Sequence, residues 1–454
     1  MTDRTSPVAR FLEKLLIIYI IANPFIDILT GFYICEILHA TELDIINATF
    51  SSTPGLIIRM AMLLVFALYI LLKRDRIAIS TLVIMGLAWL ASIALLMVGG
   101  AELHLGTDVK YFVKFCYNIA MLFAYLQVFR SVYSDSGELM AKLNKLIAYT
   151  CLVYSLGIII PYIFHLGYST YADRIGYRGC RGYFYSGNDV TAVFVVLLPI
   201  AIANLLTVDK GVKRGTLFEY LCAPAVTIVA LLIIGSKTAF ISVIGTCAAM
   251  LLFCLFSGKA HRATYLKRLM LMFVAAGVVF LTLTLFVGGQ LFNDINTSAS
   301  APKKLADKES VETAMLSGRS GKLREQLELF TAGGALTWLF GIGRSSVVNV
   351  IEMDIAEVFI YYGLVGAAAM LWLYVWLAVD FIRNMFKKFN VYSFALFFGI
   401  GMTLGYMFIA GHVLFTVTSG QYFILAIAAS RVYFAQSSEN ALVRPKLLAK
   451  LLKA

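Results

Sequence analysis

The chain has 454 residues, of which 60% are hydrophobic and only 14% are charged. Soluble domains carry about 25% charged residues, so this composition excludes an ordinary soluble protein and indicates an integral membrane protein. The formal net charge of +12 does not indicate nucleic-acid binding. The basic residues stand in short segments between apolar runs, where membrane orientation and anionic lipids account for them.

The hydrophobic residues are grouped in runs of about 20, the length that crosses the hydrocarbon core of a bilayer. No small-residue cleavage site follows the first run, so we expect it to remain as a span. The runs predict an all-α polytopic membrane protein with about 12 transmembrane helices, and residues 1–454 form a single transmembrane domain. The runs lie at about 12–33, 56–72, 77–98, 109–129, 146–164, 187–207, 217–234, 238–257, 269–288, 355–380, 391–410 and 413–433.

The distribution of Lys and Arg predicts the orientation of the chain in the membrane. With the N-terminus inside, 24 of the 38 basic residues fall in inner segments, and every inner segment has at least three. We therefore expect a multi-pass protein of the cytoplasmic membrane with both termini in the cytoplasm. The other 14 basic residues lie outside or at outer helix ends, which runs against the usual bias and favours an anionic lipid substrate.

The longest outer segment, 289–354, separates the ninth and tenth runs. Within it, Leu323, Leu327 and Phe330 recur at helical spacing among charged residues. This spacing predicts an amphipathic helix at about 320–332 that lies on the outer membrane face.

Four basic residues in the outer segments are candidate ligands for a phosphate-bearing substrate. Arg178 and Arg181 stand among glycines, where the backbone can approach a ligand and guanidinium groups can form paired hydrogen bonds to phosphate. Lys237 begins the eighth run, and Arg319 stands between glycines at the start of the amphipathic helix. Contact with lipid headgroups or solvent is the plain alternative for all four.

Three other residues near the outer face are candidate catalytic groups. Glu352 and Asp354 are two positions apart ahead of the tenth run, where one carboxylate can serve as a general base and the other can orient it. Ion pairing with the arginines is their alternative role. His412, in a tight turn between the last two runs, is the histidine that we select as a further candidate.

The seven cysteines form no CxxC pair, so we expect no metal or redox site from them and no cofactor. A disulfide between Cys35 and Cys180 is possible, and small buried hydrophobic side chains are the simpler interpretation.

Several ionisable residues lie inside the apolar runs, each toward the outer end: Asp27, Arg59, Lys110 and Lys114. Ionisable groups in a membrane are candidates for a functional site. An ion pair between Asp27 and Arg59 is the alternative explanation for those two residues.

The chain resembles the O-antigen ligase and Wzy polysaccharide polymerase superfamily over roughly residues 150–380. The resemblance depends on the order of several short motifs. These are Arg178-Gly-Cys-Arg181-Gly-Tyr-Phe-Tyr-Ser-Gly-Asn188, Ser236-Lys237-Thr238-Ala239, Gly318-Arg319, Gly341-Ile-Gly343 followed by an acidic segment, and Gly363-Leu-Val-Gly366.

The resemblance implies a GT-C-like membrane glycosyltransferase that works without a metal. Its donor is a polyprenyl-pyrophosphate-linked glycan, which it passes to an acceptor hydroxyl at the outer face of the cytoplasmic membrane. Arg178, Arg181 and Arg319 match the family positions that hold the pyrophosphate. A flippase and a chain-length regulator are possible protein partners.

Two departures from the family pattern bear on the reaction. Lys237 stands where many members have arginine, and Glu352-Met-Asp354 stands where ligases often have a His-Asn pair. The second departure favours a capsule or exopolysaccharide polymerase over an O-antigen ligase-type transferase. A flippase for lipid-linked glycans remains a further alternative. Another is a metal-dependent enzyme that uses Glu36, Glu42 or Asp44.

Overall fold

A computed structural model describes residues 6–40, 53–99, 104–133, 136–170, 179–209, 211–308, 312, 316–347, 350–411 and 413–435. These residues are almost entirely helical, as the sequence predicts. Strands β1 (Tyr168–Ser169) and β2 (Cys180–Gly182) form a small antiparallel hairpin.

Fifteen α-helices occur within the described residues. They are α1 (Pro7–Phe32), α2 (Pro54–Leu72), α3 (Arg76–Val98), α4 (Leu105–Val132), α5 (Ser136–Ile163), α6 (Gly187–Thr207), α7 (Arg214–Ile234), α8 (Lys237–Phe256), α9 (Lys259–Phe286), α10 (Gln290–Lys308), α11 (Arg319–Ala332), α12 (Gly334–Phe340), α13 (Asp354–Lys387), α14 (Val391–Ile409) and α15 (Val417–Ala435).

Eleven helices of the described chain are long and apolar enough to cross a membrane: α1 to α9, α13 and α14. The chain is thus a multi-pass membrane protein, which confirms the predicted fold class. Helix α15 covers the twelfth apolar run and is more polar, since it contains Ser419, Gln421 and Ser430. These three side chains are buried, so neighbouring helices rather than lipid surround them.

Helices α6 and α15 form the centre of the bundle. In the most apolar stretch of α6, 94% of the residues are buried. Helix α6 packs against α5, α7, α14 and α15. In contrast, only 22–28% of the corresponding stretches of α2, α3, α8 and α9 is buried. These peripheral helices expose apolar side chains, as expected of surfaces that face lipid.

Helix α13 is interrupted in its N-terminal part, at Gly363, which has φ 64°. A continuous helix would pair the carbonyls of Ile360 and Tyr361 with amides four residues further on. The loop before α13 supplies the amides instead: Ile342 N donates to Ile360 O at 2.9 Å, and Gly343 N donates to Tyr361 O at 3.0 Å. The loop therefore completes the hydrogen bonding of a broken span.

Helix α11 occupies the stretch in which the sequence predicts an amphipathic helix. Its buried residues are Arg319, Gln326 and Phe330, and it packs against α12 and α13. Leu327, which the spacing assigns to the apolar face, is 45% exposed. The face of the helix that meets protein carries the polar residues Arg319 and Gln326 beside Phe330, and the placement of the helix on the outer membrane face stays a prediction.

All seven cysteines lie in the described residues and are free thiols, so the possible disulfide between Cys35 and Cys180 does not form. Burial raises the pKa of Cys180 to about 11, so its thiol stays protonated at neutral pH.

Candidate functional site

The candidate site lies at the end of the bundle where α2, α4, α6, α8 and α13 begin. We call it the outer end, after the predicted orientation. Arg181 comes from the hairpin, and its guanidinium carbon lies 5.2 Å from the centre of the Tyr168 ring. A Cβ atom on Gly182 would lie 2.1 Å from the Gly157 carbonyl oxygen, so the hairpin fits closely against α5.

The hairpin continues over the turn between α7 and α8. Thr170 Oγ1 donates to Ile234 O, near the end of α7, at 2.7 Å. Gly235 ends that helix in a left-handed conformation, and the Ser236 side chain caps α8. Lys237 therefore begins α8 just beyond the point that the hairpin contacts.

Lys237 is joined directly to the long outer segment. Its Nζ donates to Ser317 Oγ at 2.9 Å. Ser317 and Gly318 both have positive φ, 56° and 80°, and this turn leads into Arg319 at the start of α11. Arg319 is only 8% exposed, and its Nη2 donates to Glu352 Oε2 at 2.6 Å.

Lys237, Ser317, Arg319 and Glu352 thus form a continuous path of contacts, which we call the outer cluster. It brings together three of the residues selected from sequence, one from α8 and two from distant points of the long outer segment. Lys322 adds a third cation, with Nζ 3.7 Å from Glu352 Oε1. The Glu352 side chain remains 31% exposed, so this carboxylate is accessible as well as paired.

Glu352 is held in place through its backbone. Its φ is 66°, and its amide donates to Glu357 Oε1 at 2.7 Å. Glu357 in turn accepts a hydrogen bond from the Tyr111 hydroxyl of α4. A left-handed conformation at a residue other than glycine persists only where the surroundings enforce it.

Asp354 lies close to Glu352 in sequence and has a different environment. It is completely buried, and its Oδ2 accepts hydrogen bonds from Val413 N at 2.7 Å and Leu414 N at 3.0 Å. Asn118 Nδ2 contacts Leu414 O at 3.1 Å from the other side. Asp354 therefore fixes the turn that leads into α15.

Two of the selected residues, Arg178 and His412, lie outside the described residues. Gly411, the residue before His412, is described, and a Cβ atom placed on Gly411 would lie 2.3 Å from Glu352 O. The chain next to that histidine therefore passes beside the outer cluster.

Arg344 and Glu357 were not selected from sequence, although both are buried beside the outer cluster. The Arg344 guanidinium lies 5.5 Å from the Tyr111 ring and 5.8 Å from the Tyr361 ring. Its backbone amide donates to Asp108 Oδ1 at 2.7 Å. A usable signal existed for Glu357, which follows Asp354 by one helical turn and so shares its face.

A cavity of about 230 Å³ lies between the outer ends of α1, α2, α4, α6 and α15. One wall contains an ion pair between Arg59 and Asp27. This pair is the alternative to a functional role that the sequence suggests for these two residues. Gln421 also donates to Asp27 Oδ2 at 3.2 Å, and Arg59 donates to Thr418 Oγ1 at 3.0 Å. The two charges of this pair therefore neutralise each other, and Arg59 Nε makes no hydrogen bond with the described residues.

Of the acidic residues considered for a metal, Glu36 is described, and Glu42 and Asp44 lie outside the described residues. Glu36 accepts a hydrogen bond from the Tyr183 hydroxyl at 3.1 Å. Burial, followed by this hydrogen bond, raises the pKa of Tyr183 to about 12. Among the described residues, no group of three or more His, Cys, Asp or Glu side chains is arranged to hold a metal ion.

A family model described as O-antigen ligase like membrane protein matches residues 9–293 and 293–436. The match covers nearly the whole chain, including the hairpin, the outer cluster and the cavity. No curated protein and no solved structure matches the chain.

Proposed function

The chain belongs to the O-antigen ligase like membrane protein family, and we propose that it transfers a polyprenyl-pyrophosphate-linked oligosaccharide to an acceptor hydroxyl. Family membership indicates a membrane transferase in glycan assembly. We further propose that the reaction takes place at the outer face of the cytoplasmic membrane. The polymer would be a capsule or exopolysaccharide built from lipid-linked repeat units.

The outer cluster is the observation that carries this proposal. It holds Lys237 and Arg319 beside an accessible carboxylate, Glu352. Pyrophosphate is a good leaving group once its charge is neutralised, and cations fixed in a site shielded from water do this well. Arg319 is nearly buried, so its charge is poorly screened by solvent.

Each residue then has a role in one displacement. The acceptor oxygen attacks the anomeric carbon, and the bond from that carbon to the pyrophosphate oxygen breaks. Polyprenyl pyrophosphate leaves with the bonding electrons, held by Arg178, Arg181, Lys237 and Arg319. Glu352 takes the acceptor proton, with His412 as the second candidate for this step. Asp354 contributes by fixing the turn that follows His412.

The cations of the proposed site favour a transferase over a flippase. Arg181, Lys237 and Arg319 all lie at the outer end of the bundle, whereas a flippase needs polar groups along a path through the membrane. The central helix α6 is instead apolar and buried along nearly its full length. A flippase is then a separate partner that delivers the donor, and a chain-length regulator is another expected partner.

The proposal is tested by incubating the purified protein with a lipid-linked repeat unit alone, in the presence of EDTA. A ladder of products supports a metal-independent polymerase. Reaction only after a second acceptor is added supports the ligase alternative. Loss of all transfer upon chelation would support the metal-dependent alternative instead.

The pyrophosphate site is tested by Arg178→Ala, Arg181→Ala and Arg319→Ala. We expect each variant to abolish polymer growth while expression and membrane insertion stay intact. The control is Lys303→Ala, which removes an exposed lysine from α10, in the outer segment that also contains Arg319. Near wild-type polymer lengths from all three arginine variants would contradict the proposed site.

A further inference from the structure

The cavity at the outer end of α1, α2, α4, α6 and α15 contains polar groups that the transfer step does not use. Lys110 and Lys114 come from α4, one helical turn apart, and Asp189 comes from the first turn of α6. With Arg59 the cavity is lined by three cations, and with Asp27 it is lined by two carboxylates. The lining therefore has a net formal charge of +1 (3 − 2).

Lys114 and Asp189 attract each other electrostatically, and each has few direct bonds within the described chain. Lys114 makes no hydrogen bond or ion pair with any described residue. Asp189 is only 9% exposed, and its Oδ1 accepts no hydrogen bond from the described residues. Buried polar groups are rarely left unsatisfied, so the Asp189 oxygen fits a ligand that offers a hydrogen-bond donor. Lys114, which is partly buried in the same lining, can bind an anionic group of that ligand.

The remaining lining fits a sugar. Tyr185, which is 41% exposed, and the buried Phe184 both line the cavity. Aromatic rings and a few directed polar groups are typical of small-molecule sites. Pockets for drug-sized ligands measure about 300–1,000 Å³. At about 230 Å³, this cavity suits one sugar residue rather than a whole oligosaccharide.

The cavity is connected to the proposed reaction centre from two sides. The Arg181 side chain comes within 4.0 Å of the position that a Cβ atom on Gly187 would occupy, at the start of α6. Thr416, in another wall of the cavity, ends the turn that Asp354 and Asn118 hold. A sugar in the cavity would therefore lie next to the groups assigned to the donor.

We propose that this cavity binds the acceptor end of the growing glycan and selects a sugar that carries a carboxylate. Lys114 binds the sugar carboxylate, and Asp189 accepts a hydrogen bond from a sugar hydroxyl. The inference rests on the proposed glycosyl transfer and adds to it a class of acceptor, the acidic sugars. An anionic lipid headgroup has similar charge and is the other source of an anion at this position.

The test measures binding to the detergent-purified full chain by calorimetry, with three probes. These are trigalacturonate, its neutral counterpart galactotriose, and glycerol 1-phosphate as the headgroup analogue. We expect trigalacturonate to bind at least about 10-fold more tightly than galactotriose, because hydrogen bonds to charged groups are the stronger ones. Lys114→Met should remove this preference, Lys114→Arg should restore it, and Lys303→Met should leave it unchanged.

A second variant tests the aspartate. Asp189→Asn should weaken galactotriose binding, because the amide oxygen is a poorer acceptor for a sugar hydroxyl than a carboxylate. If Asp189 only balances the charge of Lys114, the variant would leave galactotriose binding unchanged. That result would remove Asp189 from the site.

Equal binding of trigalacturonate and galactotriose would overturn the proposal. Lys114-dependent binding of glycerol 1-phosphate that matches or exceeds trigalacturonate would also overturn it, in favour of a lipid site. The proposed function is judged separately. Arg319→Ala should abolish transfer and keep trigalacturonate binding. A wild-type protein that builds polymer but binds trigalacturonate and galactotriose equally would contradict the acceptor inference and leave the proposed transfer intact.

Discussion

Two arginines at the inner end of the helix bundle and two basic residues at the outer end have different kinds of partner. At the inner end, Arg268 donates to Leu206 O at 2.6 Å and to Leu205 O at 3.3 Å, in the last turn of α6. Arg262 likewise donates to Ser257 O at 3.2 Å, just after α8. The carbonyls at a helix C-terminus lack partners within the helix and carry partial negative charge, so these arginines stabilise helix ends.

At the outer end, Lys237 and Arg319 have side chains among their partners. Lys237 meets a serine hydroxyl, and Arg319 meets the Glu352 carboxylate. A side chain can rotate away when a substrate arrives, whereas a helix carbonyl cannot. The comparison teaches that Arg262 and Arg268 stabilise helix ends, while Lys237 and Arg319 keep partners that an anion can replace.

The largest expected effect comes from Glu352→Gln. If this carboxylate takes the acceptor proton, the transfer rate should fall by about 10²–10⁴-fold. The matched control is Glu13→Gln, which alters a buried inner carboxylate that is 2.9 Å from Lys73. The rates are measured with the lipid-linked repeat unit. A wild-type rate in Glu352→Gln would show that this residue only pairs with Arg319.

Asp27→Asn should give the largest loss of stability. The change leaves Arg59 buried without its carboxylate partner, and breaking a buried ion pair in this way costs about 3–5 kcal/mol of unfolding free energy. The double variant Asp27→Asn with Arg59→Met should recover much of the loss. Thermal unfolding in detergent measures both, and an unchanged midpoint for Asp27→Asn would contradict the importance of the pair.

Gly363→Ala tests whether the outer end depends on the contact between the loop and the broken helix. A Cβ atom there would lie 2.4 Å from Phe340 N, and the positive φ adds about 1–3 kcal/mol of strain. We expect lower thermal stability and loss of transfer activity. Gly401→Ala on α14, where a Cβ atom meets nothing within 4 Å, is the control and should resemble the wild type.

The smallest effect should come from the inner end. Arg268→Ala removes the hydrogen bonds to the last turn of α6, which are worth about 0.3–1 kcal/mol. The thermal midpoint should fall slightly, while the transfer rate per folded molecule stays the same. A large loss of rate would break the proposed division between the two ends.

Much of the fold follows from local composition. The apolar run at 187–207 coincides with α6, because a membrane span needs a continuous apolar length that can be read from the sequence. The last run was predicted from 413, yet α15 begins at Val417. Residues 413 to 416 form a turn instead of a helix because their backbone groups bond to Asp354 and Asn118, which are distant in sequence.

The candidate site was predictable in its residue types and less so in its contacts. Lys237, Arg319 and Glu352 stand out as charges at predicted helix ends. The hydrogen bond between Lys237 and Ser317 joins residues 80 positions apart, so no local pattern reveals it. The break at Gly363 escaped prediction for the same reason, since it depends on amides from the preceding loop.

That break also has a consequence for how the protein is made. The chain leaves the ribosome from its N-terminus, so Ile342 and Gly343 emerge before the helix whose carbonyls they serve. When α13 enters the bilayer, the amides that satisfy Ile360 and Tyr361 are already available at its outer end. The segment from 341 to 343 thus acts as a built-in assembly partner for the span that follows it, and a nascent chain that lacks this segment would insert α13 with two exposed carbonyls.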